Sequence, residues 1–300
     1  MSTTTSLTIE ARRATSPLQW IDYLELTKPR IAMLVLVTVA VAMCLAGWGP
    51  PNAWLLAHTL LGTALVAASA SALNQWLERD TDACMARTAD RPLPAGRLSG
   101  VQVLSFSALT IAVGVVYLAV AVGLVTAALG LLTWALYAWV YTPLKRRTPS
   151  NTAVGAVAGA LPVLMGWSAV APLDLRAWSL FLIVFIWQFP HFMAIAWIYR
   201  QQYAGAGLKM LTTVDASGYR AGAQAMISAL VLIPVSLVPC LLQPAGEMVF
   251  AWALLLGVAQ LVCAVLFFVQ LSERSARRLL LASLVYLPAM MGLLVLGPLA

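Results

Sequence analysis

The sequence has few charged side chains. Only 10% of its 300 residues are charged, whereas 62% are hydrophobic, and residues 31–77 and 98–144 contain no charged side chain. This composition excludes a water-soluble globular protein. Because a helix crosses the bilayer with about 20 apolar residues, each of these two uncharged stretches is long enough for two crossings.

Cysteine and histidine are also scarce. The chain has four cysteines and two histidines, and the cysteines form no CxxC pair or other metal-binding spacing. The sequence therefore predicts neither a cysteine-based metal site nor a disulfide framework. Residues 1–30 contain no apolar core of a secretory signal, so we expect no cleaved signal peptide.

The gaps between successive charges predict nine transmembrane helices. Lipid offers no hydrogen-bond partners to backbone groups, and the sequence lacks the alternating pattern of membrane strands. The predicted fold class is therefore all-α, in a polytopic membrane protein. We expect a cytoplasmic or interfacial N-terminal segment, residues 1–30, followed by a single transmembrane domain, residues 31–300.

The basic residues predict the orientation of this bundle. The net charge is +7, and with the N-terminus in the cytoplasm every lysine and arginine except Arg176 lies on the inner side. This uneven distribution of lysines and arginines between the two sides indicates that they orient the protein in a membrane. It argues against binding to a nucleic acid. We expect a protein of the bacterial inner membrane with its functional site toward the cytoplasm.

Four acidic side chains and four arginines lie close together in residues 74–97, NQWLERDTDACMARTADRPLPAGR. Asn74, Glu78 and Asp82 are spaced four residues apart and drift by only about 80° around a helix, so they share one face. Asp80 lies about 200° from Glu78 and joins them only if the helix has ended. A carboxamide and two carboxylates beside several arginines suit Mg2+ carrying a diphosphate. The alternative is a solvated interfacial loop whose acids balance its own arginines.

Three other segments carry polar side chains next to apolar spans. Lys28 and Arg30, in TKPR, either anchor the first span or bind a ligand. In the basic loop YTPLKRR, Lys145 either enforces orientation or supplies a charge for the leaving oxygen of a diphosphate. In the sixth span, Gln188 and His191 flank Pro190, where a polar side chain is either functional or a bond between helices.

The fifth predicted span, residues 152–170, is rich in glycine and alanine. Small residues permit close helix packing or leave room for a large ligand, and we favour packing.

Four segments together resemble a known family. DYLELTKPRI, NQWLERDTDACMARTADRPLPAGR, YTPLKRRTPSNTAVGAVAGALP and WQFPHFMAIAWIYRQQYAGAGLKM stand in the order and spacing of the protohaem IX farnesyltransferases, or haem O synthases, of the UbiA-type intramembrane prenyltransferase superfamily. The resemblance implies transfer of a farnesyl group from farnesyl diphosphate to a vinyl group of protohaem IX. It implies Mg2+ as cofactor, the lipid bilayer as surroundings, and haem A synthase or oxidase assembly proteins as partners.

The resemblance also assigns roles to residues. It implies that Asn74, Glu78, Asp82 and Lys145 are catalytic, the first three as metal ligands. The implied substrate-binding residues are Arg87, Arg91, Arg146, Gln188, His191, Arg200 and Tyr203. One position departs from the family pattern, because Gln201 and Gln202 precede Tyr203 where relatives typically carry an acid. A second metal ion would then have fewer protein ligands, use Asp215, or be absent.

Two other functions compete with haem farnesylation. A prenyltransferase of this kind could act on an aromatic quinone precursor. A nine-helix bundle with polar Gln188 and His191 near the middle of the membrane could instead be a small-molecule transporter, but its polar residues should then line a continuous path. Here the charges cluster at one face, which favours the enzyme.

Overall fold

The computed structural model describes residues 19–242 and 247–297, and throughout these ranges all regular structure is helical. The all-α prediction is therefore confirmed. A π-helical turn occupies Leu136–Tyr141. The α-helices are α1 (Gln19–Leu26), α2 (Pro29–Ala46), α3 (Ala53–Ala83), α4 (Gly100–Ala121), α5 (Leu124–Ala135), α6 (Thr142–Leu144), α7 (Asn151–Ser168), α8 (Leu175–Ile198), α9 (Arg200–Gly205), α10 (Leu211–Val214), α11 (Tyr219–Leu242), α12 (Glu247–Gln270) and α13 (Glu273–Leu296).

Within the described ranges, eight helical segments are long and apolar enough to cross a membrane. They are α2, α3, α4, the continuous segment Leu124–Leu144, α8, α11, α12 and α13. This identifies an integral membrane protein. The fifth predicted span corresponds to α7, an 18-residue helix that is not among the eight. Nine crossings and a cytoplasmic N-terminus therefore stay predictions, and residues 1–18 of the predicted N-terminal segment lie outside the described ranges.

Helix α7 lies in the middle of the bundle. Its Ala160, Leu164 and Trp167 are buried in the main core together with residues of α2, α8 and α13. A Cβ added at Gly166 would lie 2.3 Å from the backbone carbonyl oxygen of Val39, so only glycine lets α2 approach this closely. Close helix packing is therefore observed at Gly166.

Helix α3 delivers the acidic residues to one end of the bundle. Its 31 residues span about 46 Å at the α-helical rise, whereas the hydrocarbon core of a bilayer is about 30 Å thick. The last turns of α3 therefore extend beyond the hydrocarbon core. Asn52 caps the other end of α3, where its side chain accepts hydrogen bonds from the N–H groups of Trp54 and Leu55.

The short helix α1 is fastened to the loop that follows α3. Arg97 donates hydrogen bonds of 2.6 Å to both Asp22 and Glu25. On its apolar side, Leu26 is fully buried against Ala72 and neighbouring residues. These contacts hold α1, and the TKPR segment after it, against α3.

Candidate active site

A pocket of about 430 Å³ opens between α2, α3, α7 and α8 at the acidic end of α3. Residues from Thr63 to Asp82 of α3 line it, a length of about 28 Å along the helix. Its outer part contains all the charged lining residues, which are Lys28, Glu78, Asp82, Arg87, Arg91 and Lys145. Its deep part is formed mainly by apolar side chains, including Val66, Pro162 and Met165. The pocket therefore has one charged and one apolar end.

The shared face of α3 is present as predicted, and each of its three polar side chains contacts a cation. Lys28 Nζ lies 2.7 Å from Asn74 Oδ1, and Lys145 Nζ lies 2.8 Å from Glu78 Oε1. Arg91 Nη1 lies 2.6 Å from Asp82 Oδ2. The α-helix continues to Ala83, so Asp80 points away from this face and pairs with Arg79.

The two lysines carry their charge in different surroundings. Although burial opposes the charge of Lys145, the Glu78 carboxylate beside it raises the pKa of its ammonium group. Burial, and next the positive charge of Arg91, lower the pKa of Lys28 to about 7. Lys145 is thus held firmly as a cation, whereas the positive charge of Lys28 is destabilised.

The π-helical turn shapes one wall of the pocket. Tyr137 and Tyr141, with ring centroids 5.4 Å apart, both line it, and Lys145 Nζ lies 4.5 Å from the Tyr141 ring centroid. Thr142 accepts a hydrogen bond of 3.0 Å from Asn74 Nδ2 and donates to the Tyr137 carbonyl oxygen. The turn therefore joins the basic loop to the acidic face of α3, and π-helical turns often occur at functional sites.

Gln188 lies in the wall opposite the charged loops. Its Nε2 donates to the carbonyl oxygens of Ala156, 2.8 Å away, and Val184, 3.2 Å away. Its Oε1 occupies the space over Gly159, where an added Cβ would lie 2.4 Å from it. Because both residues line the pocket, the amide is held with its oxygen beside the ligand space.

The pocket brings together most of the predicted site residues. Eight line it: Asn74, Glu78, Asp82, Arg87, Arg91, Lys145, Gln188 and Tyr203. Three predicted substrate-binding residues do not: Arg146, His191 and Arg200. Arg146 is exposed, and Arg200 lies over the Trp197 ring. The roles of all these residues stay predictions.

His191 lies on the side of α8 that faces α13. Its Nδ1 is 2.8 Å from Ser283 Oγ, and its ring stacks on Trp187 with centroids 4.8 Å apart. Trp187 Nε1 donates to the backbone carbonyl oxygen of the same Ser283. These contacts join two helices outside the pocket, and α8 continues without interruption through Pro190.

The positions considered for a second metal ion lie away from the acidic face. Gln201 is exposed, and neither Gln201 nor Gln202 lines the pocket. Asp215 accepts hydrogen bonds from Ser217 and from the backbone N–H of Arg220, close to the start of α11. The Asp215 carboxylate therefore stabilises the turn before α11.

The donor set on α3 fits Mg2+ only when a ligand completes the coordination. Asn74, Glu78 and Asp82 offer hard oxygen atoms on one face, as this ion prefers. Among the described residues, no three acidic, histidine or cysteine side chains cluster closely enough to hold a metal ion. Mg2+ is commonly bound by one or two carboxylates together with phosphate oxygens of a substrate, which matches this arrangement.

The sequence did not single out several lining residues. The sequence predicts no site role for Tyr137 and Tyr141, and it is compatible with Lys28 either as an anchor of the first span or as a ligand-binding residue. The Lys-Pro-Arg segment just before the first span was the available signal for Lys28. For the tyrosines, an i, i+4 pair of aromatics next to Lys145 was the only signal, and it is equally typical of helix packing.

The chain is similar in sequence and in fold to known membrane prenyltransferases. The chain is 43% identical to the protoheme IX farnesyltransferase of Solibacter usitatus, over 92% of this chain and 98% of that protein. Its fold is similar to that of a digeranylgeranylglyceryl phosphate synthase, with a TM-score of 0.80, 13% identity, and coverage of 93% of this chain and 98% of the other.

A UbiA homolog from Archaeoglobus fulgidus, solved with DMAPP and Mg2+, has a TM-score of 0.67 at 16% identity, with coverage of 91% of this chain and 99% of that one. The sequence profile of the UbiA prenyltransferase family matches residues 35–290. With its helical bundle and its pocket, the chain belongs to the UbiA prenyltransferase family.

Proposed function

We propose that this protein is a protohaem IX farnesyltransferase: it transfers the farnesyl group of farnesyl diphosphate to a vinyl group of protohaem IX and so makes haem O. The observation that carries the proposal is the polarity of the pocket, with cations and hard oxygen ligands at one end and an apolar interior at the other. A prenyl diphosphate has the same two-part chemistry. The names of two curated relatives, 43% and 39% identical to this chain, supply the acceptor.

The charged end would bind the diphosphate. Lys145 and Arg91 would contact its oxygens, and the carboxylates of Glu78 and Asp82, with Asn74, would hold Mg2+ against it. When bound, the metal ion would neutralise charge that develops on the departing diphosphate. Positioned cations act in the same direction, because they stabilise the leaving group more strongly as its bond to the farnesyl carbon breaks.

The apolar interior would hold the farnesyl chain and exclude water. Met85, Leu208 and Met210 are buried side chains that line the pocket near the charged end, so bulk water has little access. Exclusion of water protects an allylic cation from hydrolysis before the vinyl group attacks it. The vinyl carbon then forms the new bond, and addition of water with loss of a proton leaves the hydroxyethylfarnesyl group.

We further propose a location in the bacterial inner membrane with the pocket open to the cytoplasm. The segments that carry its charged residues are rich in basic side chains, as in residues 28–30 and 145–147, and basic residues favour the cytoplasmic side. Haem A synthase or oxidase assembly proteins would then receive the product.

Membranes containing the protein test the function directly. Incubated with farnesyl diphosphate and Mg2+, they should convert protohaem IX to haem O and should not prenylate an aromatic quinone precursor. In a haem-O-deficient bacterial strain, expression should restore the haem O pigment. Prenylation of the quinone precursor alone would replace this proposal with the other prenyltransferase function, and neither product would contradict both.

A further inference from the structure

The apolar part of the pocket has a defined length along α3. Asn74 is the innermost of the three oxygen donors, and the residues of α3 that line the pocket beyond it are uncharged. From Asn74 to Thr63, the lining residue of α3 farthest from the charged end, the helix rises about 16 Å. With a diphosphate bound at Glu78 and Asp82, a prenyl chain would start near Asn74, so this distance is the length available to it.

Packed side chains close the pocket at its deep end. Beyond Thr63, α3 lies against α4, where a Cβ added at Gly62 would lie 2.5 Å from Leu118 Cδ2. Val66 and Met165 line the pocket and belong to one buried cluster with Leu118. Each of these three side chains is no more than 3% exposed. They form a packed floor against which the end of a bound chain would rest.

Met165 occupies a defined position in this floor. A Cβ added at Gly130 of α5 would lie 3.1 Å from Met165 Cε, so the end of the side chain already contacts that helix. On the same helix, Thr133 Oγ1 lies 4.0 Å from Met165 Sδ. The Met165 side chain therefore has no room to withdraw towards α5. Shortening it would lengthen the space at the deep end of the pocket.

Prenyl chains of different length fit this space unequally. With carbon–carbon bonds of about 1.5 Å, the extended main chain is about 9 Å long for geranyl, about 14 Å for farnesyl and about 19 Å for geranylgeranyl. A chain that runs parallel to α3 has about 16 Å, which accommodates farnesyl and is about 3 Å too short for geranylgeranyl. A geranyl chain would leave the deep end unfilled and lose the burial of one isoprene unit.

We propose that Met165 and Thr63 set the chain length of the prenyl substrate, because they close the pocket at the distance that three isoprene units reach. This inference rests on the proposed function for its class of substrate. It makes both residues determinants of specificity that contact the last isoprene unit, at the opposite end of the chain from the bond that breaks.

Binding of non-hydrolysable thiolodiphosphate analogues to the purified full-length protein measures this selectivity without any acceptor. The unaltered protein should bind the farnesyl analogue at least tenfold more tightly than the geranyl or the geranylgeranyl analogue. Met165→Ala should raise the affinity for the geranylgeranyl analogue at least fivefold, because it makes room for the fourth isoprene unit. Thr63→Leu fills the deep end instead. It should lower the affinity for the farnesyl analogue at least fivefold and change that for the geranyl analogue less than twofold.

Met290→Ala is the matched control, because Met290 is also fully buried but lies in the main core outside the pocket. It should lower thermal stability, yet change the ratio of farnesyl to geranylgeranyl affinity less than twofold. A folded Met165→Ala protein with an unchanged ratio would overturn the assignment. If Met165→Ala does not fold, an unchanged ratio of farnesyl to geranyl affinity in Thr63→Leu would overturn it as well. Equal affinity of the unaltered protein for the farnesyl and geranylgeranyl analogues would show that the floor sets no length.

The outcomes separate this inference from the proposed function. Chain-length selectivity that depends on Met165, in a protein that does not farnesylate protohaem IX, would support the inference and contradict the function. Farnesylation of protohaem IX with the same selectivity in the unaltered protein, Met165→Ala and Thr63→Leu would do the reverse. Absence of binding of all three analogues to the unaltered protein would contradict both.

Discussion

Asn74, Glu78 and Asp82 show how one helical face can combine two kinds of interaction. Their oxygens fit a metal ion, and each of the three side chains also contacts a cation at 2.6 to 2.8 Å. The pairs keep buried carboxylates from being uncompensated, which would be strongly unfavourable. The same cations are then close enough to receive the diphosphate.

Neutralising either carboxylate should stop the reaction without unfolding the protein. We expect Glu78→Gln and Asp82→Asn each to lower the rate of farnesyl transfer by a factor of about 100 or more, because each removes a formal charge from the metal site but preserves shape. Haem O formation by purified variants measures the effect, and thermal unfolding checks the fold. Asp80→Asn is the control, since Asp80 is exposed outside the pocket. Unaltered turnover in Glu78→Gln or Asp82→Asn would refute the metal assignment.

His191 presents a choice between binding haem and joining helices, and its contacts favour the second. We expect His191→Ala to lower the free energy of unfolding by about 1–2 kcal/mol, through loss of its hydrogen bond to Ser283 and its stacking on Trp187. Because His191 lies outside the pocket, the affinities for haem and for a farnesyl diphosphate analogue should change equally.

Ser283→Ala provides the comparison for His191→Ala. It should reproduce much of the loss of stability, since it removes the same hydrogen bond from the other helix. A selective loss of haem affinity in His191→Ala, with unchanged thermal unfolding, would instead indicate that His191 binds haem.

At the scale of helices, α7 combines packing with the shape of the pocket. Gly155 and Gly159 both line the pocket, and an added Cβ would lie 2.7 Å from the Tyr141 ring or 2.4 Å from Gln188 Oε1. These glycines therefore leave space for side chains from neighbouring segments. Gly166 of α7 allows close contact with α2. Gly155 and Gly159 instead leave space for the Tyr141 and Gln188 side chains that line the pocket.

Gly159→Ala should disturb Gln188 and the pocket together. The methyl group would displace the amide from its hydrogen bonds, so we expect a loss of about 1–3 kcal/mol in the free energy of unfolding and a lower rate of farnesyl transfer. Gly292→Ala is the matched control, because nothing lies within 4 Å of an added Cβ there. Gly292→Ala should keep full activity. Equal activity and stability of the two variants would contradict the fit of Gln188 over Gly159.

At the scale of the whole molecule, three loops meet on one side of the bundle. The Lys209 N–H donates to the carbonyl oxygen of Lys145, and Asn151 donates to the carbonyl oxygen of Lys209. Arg87 lies over the Tyr199 ring. The loops after α3, α6 and α8 are thus in contact, so all three must lie on the same side of the membrane. The opposite side is marked by Arg176, between the rings of Trp48 and Trp167.

Topology reporters should place these loops and count the crossings. Fusions after Arg97, Arg147 and Lys209 should report the cytoplasm, whereas fusions after Pro51 and Asp174 should report the outer side. The Asp174 fusion is decisive for α7, because it lies outside only if α7 crosses the membrane. A cytoplasmic Asp174 fusion would contradict a crossing by α7, and an outer Arg97 fusion would reverse the orientation.

The class of the fold and the acidic face of the site both follow from the amino-acid sequence alone. Long apolar stretches permit only self-satisfied helices in lipid, and the spacing of Asn74, Glu78 and Asp82 fixes their common face within one helix. The exclusion of Asp80 from that face follows from the same periodicity. All of these are local properties, which depend on neighbouring residues along the chain.

Which remote side chains reach the pocket depends on how the helices pack against one another. This packing brings Lys28, Tyr137 and Tyr141 to the acidic face, leaves Arg30, Arg146 and Arg200 outside the pocket, and turns His191 toward Ser283. The rotation of each helix about its axis is set by packing against its neighbours, through contacts such as Gly166 on Val39. Those contacts join residues far apart in the sequence, so no local pattern contains them.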